Sequence, residues 1–130
     1  MFRAPRLFRR RLGYRLRSAS RAVLAFALLL SSASSFLNAI APRVAIMDNG
    51  AKKGGTPSAW DTIKKSPRLE DLWQLHFSEE GGAGHNVAPE FIANPDGPDA
   101  ANYLELTAWP DGSFEVFNSR TKQTKHYPAH

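Results

Sequence analysis

Val44-Ala-Ile-Met-Asp-Asn-Gly-Ala-Lys-Lys-Gly-Gly-Thr-Pro-Ser-Ala-Trp60 runs from a short apolar stretch, through a loop rich in glycine and lysine, into the start of a helix. Val44-Ala-Ile-Met47 is continuously apolar and bounded by Pro42 and Asp48-Asn49-Gly50, the pattern of an interior strand covered on both faces. Asp48-Asn49-Gly50 carries turn chemistry, because Asn and Gly tolerate positive φ. Thr56 followed by Pro57 predicts an N-cap and a first helical residue. Trp60 and Ile63 then share one face, and Asp61 is placed to pair with Lys64 or Lys65 on the surface. The helix is expected to stop near Lys65, before Ser66-Pro67. Strand, loop and helix in this order describe a mixed α/β chain.

Downstream, Leu69, Leu72 and the alternating Trp73-Gln-Leu-His-Phe77 predict one helical turn entering a half-buried strand. Residues 78–98 are rich in glycine and proline and predict a long irregular excursion pinned by Phe91 and Ile92. Tyr103-Leu-Glu-Leu-Thr-Ala-Trp109 alternates cleanly, Pro110-Asp-Gly112 is a tight turn, and Ser113-Phe-Glu-Val-Phe117 runs back, which together make a hairpin. Residues 121–127 add a third, more polar strand whose lysines guard an edge.

Upstream, Leu37-Asn-Ala-Ile-Ala41 closes a helix that Pro42 ends. Before it lies a leader of different character. Its first 21 residues are rich in Arg and free of acids; Ala22-Val-Leu-Ala-Phe-Ala-Leu-Leu-Leu30 is uninterruptedly apolar, and Ser31-Ser-Ala-Ser-Ser35 follows. These are the parts of a secretory signal in order, with cleavage expected after Ala33. A transit peptide shares the composition, and an out-of-frame extension is the competing explanation. The apolar run is far short of the ~20 residues that span a bilayer, so any membrane contact runs through the leader alone. The chain divides into a leader, 1–36, helical or disordered, and a globular part, 37–130. Export to the periplasm or medium follows if the leader is genuine, and a cytoplasmic place otherwise.

The formal charge of +5 divides unevenly: residues 1–40 hold eight Arg and no acid (+8), and residues 41–130 hold nine Lys or Arg against twelve Asp or Glu (−3). The basic balance therefore belongs to the leader, and no nucleic-acid surface is indicated in the globular part. Cysteine is absent, which excludes disulfides, thiolate metal sites and thiol catalysis.

The candidate ligand-binding residues are Lys52, Lys53, Thr56 and His85. A helix N-terminus behind a lysine-bearing glycine loop attracts anions, but both lysines precede Gly54 and Gly55, so this is not a Walker loop. The commoner reading is a solvated connection with an ordinary cap. His85 in the glycine-rich segment is the more exposed histidine and a candidate for metal binding or proton transfer, whereas His76 caps the core or faces water. His126 and His130 are separated by Pro128 and make no helical pair. Asp48 ends an apolar strand, where α/β proteins place working residues, although a turn role is the commoner one.

Arg43-Val-Ala-Ile-Met-Asp-Asn-Gly-Ala-Lys-Lys-Gly-Gly-Thr-Pro-Ser-Ala-Trp60, Leu69-Glu-Asp-Leu-Trp-Gln-Leu-His-Phe77, His85-Asn-Val, Phe91-Ile-Ala-Asn94, Pro110-Asp-Gly-Ser-Phe114 and Asn118-Ser-Arg120 together resemble the C-terminal end of metallo-β-lactamase-fold hydrolases. The branch most similar is that of the hydrolase domain of competence-type DNA-uptake proteins, and the resemblance covers residues 37–127. It implies an αββα sandwich with a zinc or manganese centre that hydrolyses through a metal-bound water. The family's His-x-His-x-Asp-His motif does not occur in this chain, and Gly55-Thr56-Pro57 stands where related domains carry Gly-His-Pro. No catalytic residue and no metal ligand carries over.

The expected fold is thus mixed α/β (α+β): a partial αββα sandwich with a C-terminal antiparallel β-hairpin or meander. The expected function is that of a truncated hydrolase of this fold, inactive alone, whose partner is the missing N-terminal half. The alternatives are a small exported binding or structural module, or one half of a split metallohydrolase.

Overall fold

The computed structural model describes residues 33–129. The basic and apolar parts of the leader, and the expectation of export that rests on them, lie outside the described residues, as does His130. The chain is mixed α/β: a parallel sheet ordered β1-β2-β3 and an antiparallel sheet ordered β4-β5-β6. Helix α1 (Ala33–Ile40) crosses the expected boundary at 36/37 and buries Leu37. No helix among the described residues is long and apolar enough to cross a membrane.

The first sheet is a β-α-β unit. Strand β1 (Val44–Met47) leads through the glycine loop to α2 (Pro57–Lys64), and β2 (Asp71–His76) returns parallel to β1, with Val44 opposite Asp71 and Met47 opposite Gln74. The cap falls where Thr56 and Pro57 place it: Thr56 Oγ1 accepts the Ala59 amide at 3.2 Å, and the helix stops with Lys65 as its C-cap. Two expectations change. Strand β1 is covered on both faces, but β2 is the central strand and β1 lies at the edge of the sheet among the described residues. Strand β2 is not half-buried, because Leu72, Trp73 and Gln74 are buried in succession, and it is preceded by a turn at Pro67-Arg68 rather than a helical turn.

The predicted excursion over residues 78–98 is more ordered than its composition suggests. Two 3-10 turns, Gly82–Gly84 and Pro89–Phe91, lead into β3 (Ile92–Asn94), which pairs parallel with β2 and is wholly buried. The C-terminal meander forms as expected from β4 (Leu104–Ala108), β5 (Phe114–Asn118) and β6 (Gln123–Tyr127).

Three layers result. On one face of the parallel sheet Leu37 and Ile63 from the helices meet Ala45, Met47 and Leu72. On its other face Val44 and Trp73 meet Phe114, Val116 and Tyr127 of the antiparallel sheet. Burying a residue such as Leu37 or Ile63 contributes about 1.5–3 kcal/mol of transfer free energy, so both faces drive folding. A polar clamp ties the two sheets together. Tyr127 donates its hydroxyl proton to Asp71 Oδ2 at 2.6 Å and accepts the Trp73 indole N–H at 3.0 Å, while Lys125 Nζ sits 2.6 Å from the same carboxylate oxygen. Burial, and next the bond to Asp71, hold the Tyr127 phenol well above its ordinary pKa. Arg43 adds a second tie, pairing with Glu70 through two nitrogens and donating to the Pro128 carbonyl at 2.8 Å.

Candidate functional site

The carboxyl ends of β1, β2 and β3 converge on a polar rim, the place where open α/β sheets bind ligands. Asn49, two residues past the end of β1, is buried at 2% exposure rather than projecting from a turn. Its amide extends the ladder between β1 and β2: Nδ2 donates to the His76 carbonyl at 2.8 Å, and Oδ1 accepts the His76 amide at 3.3 Å. The turn forms later, with Gly50 bridged to Lys53, and positive φ falls at Gly54.

Asn94 plays the same part at the end of β3. Its Nδ2 donates to the Leu75 and Asn102 carbonyls, and its Oδ1 accepts the Asn102 amide at 2.9 Å. Gln74, fully buried in the middle of β2, donates to Asn86 Oδ1 at 3.1 Å and accepts the Val87 amide at 2.6 Å. Asn86 in turn accepts the Ser78 amide and donates to the Ser78 and Gly82 carbonyls. Ser78 completes the seam: its hydroxyl donates to the Gly55 carbonyl at 2.6 Å and accepts the Gly81 amide. A buried polar group without a partner costs about 1–3 kcal/mol, so this chain of side chains is what allows an irregular crossover to run beside a buried strand.

Gly55 is explained by the same seam. A methyl group there would fall 2.7 Å from Ser78 Cβ and Oγ and 3.0 Å from Asn49 Nδ2, so the two glycines serve close packing and a left-handed turn. Sequence reasoning singled out the glycines and lysines and missed Asn49, Gln74, Ser78, Asn86 and Asn94. The one signal available was a glutamine inside an apolar strand.

The four residues named from sequence do not come together. Lys52 is 81% exposed in its side chain and lies 3.7 Å from Glu79, Lys53 is exposed, and Thr56 is committed to the helix cap. His85 is half-buried, packed edge-on to Trp60 with ring centroids 5.4 Å apart, and bonded through Nδ1 to the Gly81 carbonyl at 3.3 Å. Its Nε2 lies 3.8 Å from Asp61 Oδ1, so Asp61 turns towards His85 rather than towards Lys64 or Lys65. Lys64 instead stands over the Trp60 ring. A groove of about 270 Å³ runs along α2 and the start of β2, lined by Trp60, Lys64, Asp71, Asn86, Val87 and Phe91, and none of those four residues borders it.

His76 occupies the end of the central strand. A carbonyl only accepts, so the 2.8 Å contact from Nδ1 to the Asn49 oxygen places the ring proton on Nδ1. Its Nε2 lies 3.7 Å from Asp99 Oδ2. The zinc or manganese that the resemblance implies needs about three protein ligands in a catalytic site. Among the described residues histidine and carboxylate come within 4 Å of each other in the pairs His76–Asp99 and His85–Asp61, and no group of three His, Cys, Asp or Glu side chains capable of holding a metal occurs there. The described residues therefore do not assemble the ligand set of a catalytic metal.

No family model, characterised protein or solved structure matches the chain.

Proposed function

We propose that residues 37–130 are the part of a metallo-β-lactamase-like hydrolase that carries no metal, inactive alone, with the metal-bound water supplied by strands that bear the His-x-His-x-Asp-His motif. The observation that supports this reading most is the layering: helices cover one face of a parallel sheet and an antiparallel sheet covers the other, three successive layers of an αββα arrangement. The quoted motifs add support of a different kind. Gln74, Asn86, Asn94, Asn118 and Arg120 are joined to the backbone of neighbouring segments, which gives those residue types a structural reason to occur together. On this reading the rim of Asn49, His76 and Asn94 forms one wall of a site, and the partner is the half of the fold that holds the metal.

The test is complementation. The chain is mixed with a fragment carrying the metal motif, in the presence of zinc or manganese, and hydrolysis of phosphodiester and lactam reporters is followed. Turnover that needs both pieces supports the proposal; turnover by the chain alone contradicts it. A second reading, a self-standing binding module, is favoured by one observation: both hydrophobic clusters close between residues of this chain, from Leu37 to Tyr127. A cooperative thermal transition combined with failure of complementation by every metal-bearing fragment favours that module.

A further inference from the structure

We propose that His76 and Asp99 form an acid-operated latch that fastens the exposed segment 95–101 to the carboxyl end of the parallel sheet. This inference rests on local geometry and stands whichever reading of the function holds.

The ring of His76 is held in one state on one side. Nδ1–H donates to the Asn49 carbonyl, and Asn49 is itself fixed by its amide bonds to the His76 backbone and by burial. The neutral ring therefore presents a lone pair at Nε2. Facing it at 3.7 Å is Asp99 Oδ2, a carboxylate oxygen that can only accept. Two acceptors cannot bond, and 3.7 Å is too long for a hydrogen bond. Protonation changes the sign of the contact. Nε2–H becomes a cationic donor aimed at a carboxylate, and charge-assisted bonds of this kind settle at about 2.7–2.9 Å.

Asp99 is well placed to transmit that change. Its other oxygen accepts the Ala101 amide at 2.8 Å, so the carboxylate is already coupled to the backbone of the segment. Ala101 sits at φ 54° and Gly97 at φ 120°, which gives the segment two left-handed turns within five residues. Residues 95–101 are all exposed, and at their base Asn102 pairs through two hydrogen bonds with the Asn94 side chain. The segment is therefore anchored at its root and fastened at its tip only through Asp99.

The other groups around the ring do not compete for it. The end of β1 presents the neutral Asn49 and the end of β3 the neutral Asn94, while Asp48 and Asp96, the next acids in these segments, make no ion pair with His76. Among the described residues Asp99 is the only carboxylate within 4 Å of the imidazole. The latch is open while the ring is neutral and fastened once the ring carries a second proton.

Amide hydrogen exchange of residues 96–102 in the full chain, corrected for intrinsic rates, tests the proposal at pH 8 and pH 5. The expected result is two- to fivefold more protection at pH 5, the range for a part-exposed ion pair of about 0.5–1 kcal/mol. Asp99→Asn keeps the acceptor for the Ala101 amide but removes the charge and turns an amide donor towards Nε2, so the protection at pH 5 should no longer exceed that at pH 8, while the far-ultraviolet spectrum stays unchanged. His76→Gln should abolish the excess at pH 5 as well. Equal protection at both pH values in the unmodified chain, or an excess at pH 5 that survives in Asp99→Asn, overturns the latch. Nitrogen chemical shifts that place the neutral proton on Nε2 would do the same.

Discussion

In the antiparallel sheet Phe114, Val116 and Asn118 alternate with Glu115 and Phe117, and five register pairs on either side of β5 follow from the alternation and from tight turns. In the parallel sheet β2 buries Leu72, Trp73 and Gln74 one after another, β3 is three residues long, and the segment joining them contains no α-helix. The antiparallel sheet is organised by apolar burial on one face with ordinary ladder bonds. The parallel sheet is closed by side-chain amides that stand in for backbone: Asn49 at the end of β1, Asn94 at the end of β3, and Gln74 with Asn86 beneath the crossover. The difference teaches that amides in this chain finish a sheet whose crossover is too irregular to pair with itself.

That contrast is open to test, and the largest effect belongs to the seam. Asn86→Ala leaves the Ser78 amide and the Gly82 carbonyl without their partner, and takes one bond each from the Ser78 carbonyl, which keeps the Gly82 amide, and from the Gln74 amide, which keeps the Met47 sulfur. Loss of about 3 kcal/mol or more is expected in urea unfolding, with the midpoint falling and the slope unchanged. Gly55→Ala should cost about 1–3 kcal/mol by overpacking against Ser78, and Gly55→Ala combined with Ser78→Gly, which also loses the Ser78 hydroxyl bonds, should cost less than the sum of the two single changes.

Between the sheets, Tyr127→Phe removes one hydroxyl and leaves Asp71 and the Trp73 indole short of a partner, at about 1–2 kcal/mol. Its pH signature is separate. Because the folded phenol holds its proton above the ordinary range, its contribution to stability is complete below about pH 10, the unfolded value. It is lost progressively as pH rises from there towards the folded value, since the unfolded chain releases the proton first. Wild-type stability should fall above pH 10 more steeply than that of Tyr127→Phe, as followed by tryptophan fluorescence.

Smaller still, Thr56→Ala should cost about 1 kcal/mol through loss of the cap. Lys52→Ala should change stability by less than about 0.5 kcal/mol, because its only ion pair is a solvated one. A Lys52→Ala loss as large as that of Asn86→Ala would break the comparison between seam and surface.

The parts of the fold legible in the sequence are those where periodicity and capping act locally. Thr56-Pro57 and Lys65 bound α2, and the alternation through Trp109 and Phe117 marks the hairpin. Strand β3 was not legible because Ile92, Ala93 and Asn94 are buried on both faces and so show no alternation, and Pro95 and Gly97 beside them read as loop. The rim was hidden for another reason. Asn is the typical residue of an exposed turn, yet Asn49, Asn94 and Asn118 are each buried to 2% exposure or less and bonded across segments that lie far apart in sequence. No local pattern distinguishes the two uses, and the same limit makes Lys52 and Lys53 more conspicuous in sequence than the residues that shape the site.

The described residues fold around a closed core and bring no three ligands together for a catalytic metal, and the prediction that follows is that the chain binds none. It is tested most directly by loading the purified full chain with excess zinc or manganese, removing free metal by dialysis, and counting metal per protein by elemental analysis beside a folded-state spectrum. The expected result is a folded chain that retains far less than one equivalent of either metal, because no three protein ligands converge among the described residues. One equivalent retained by the folded chain would contradict it.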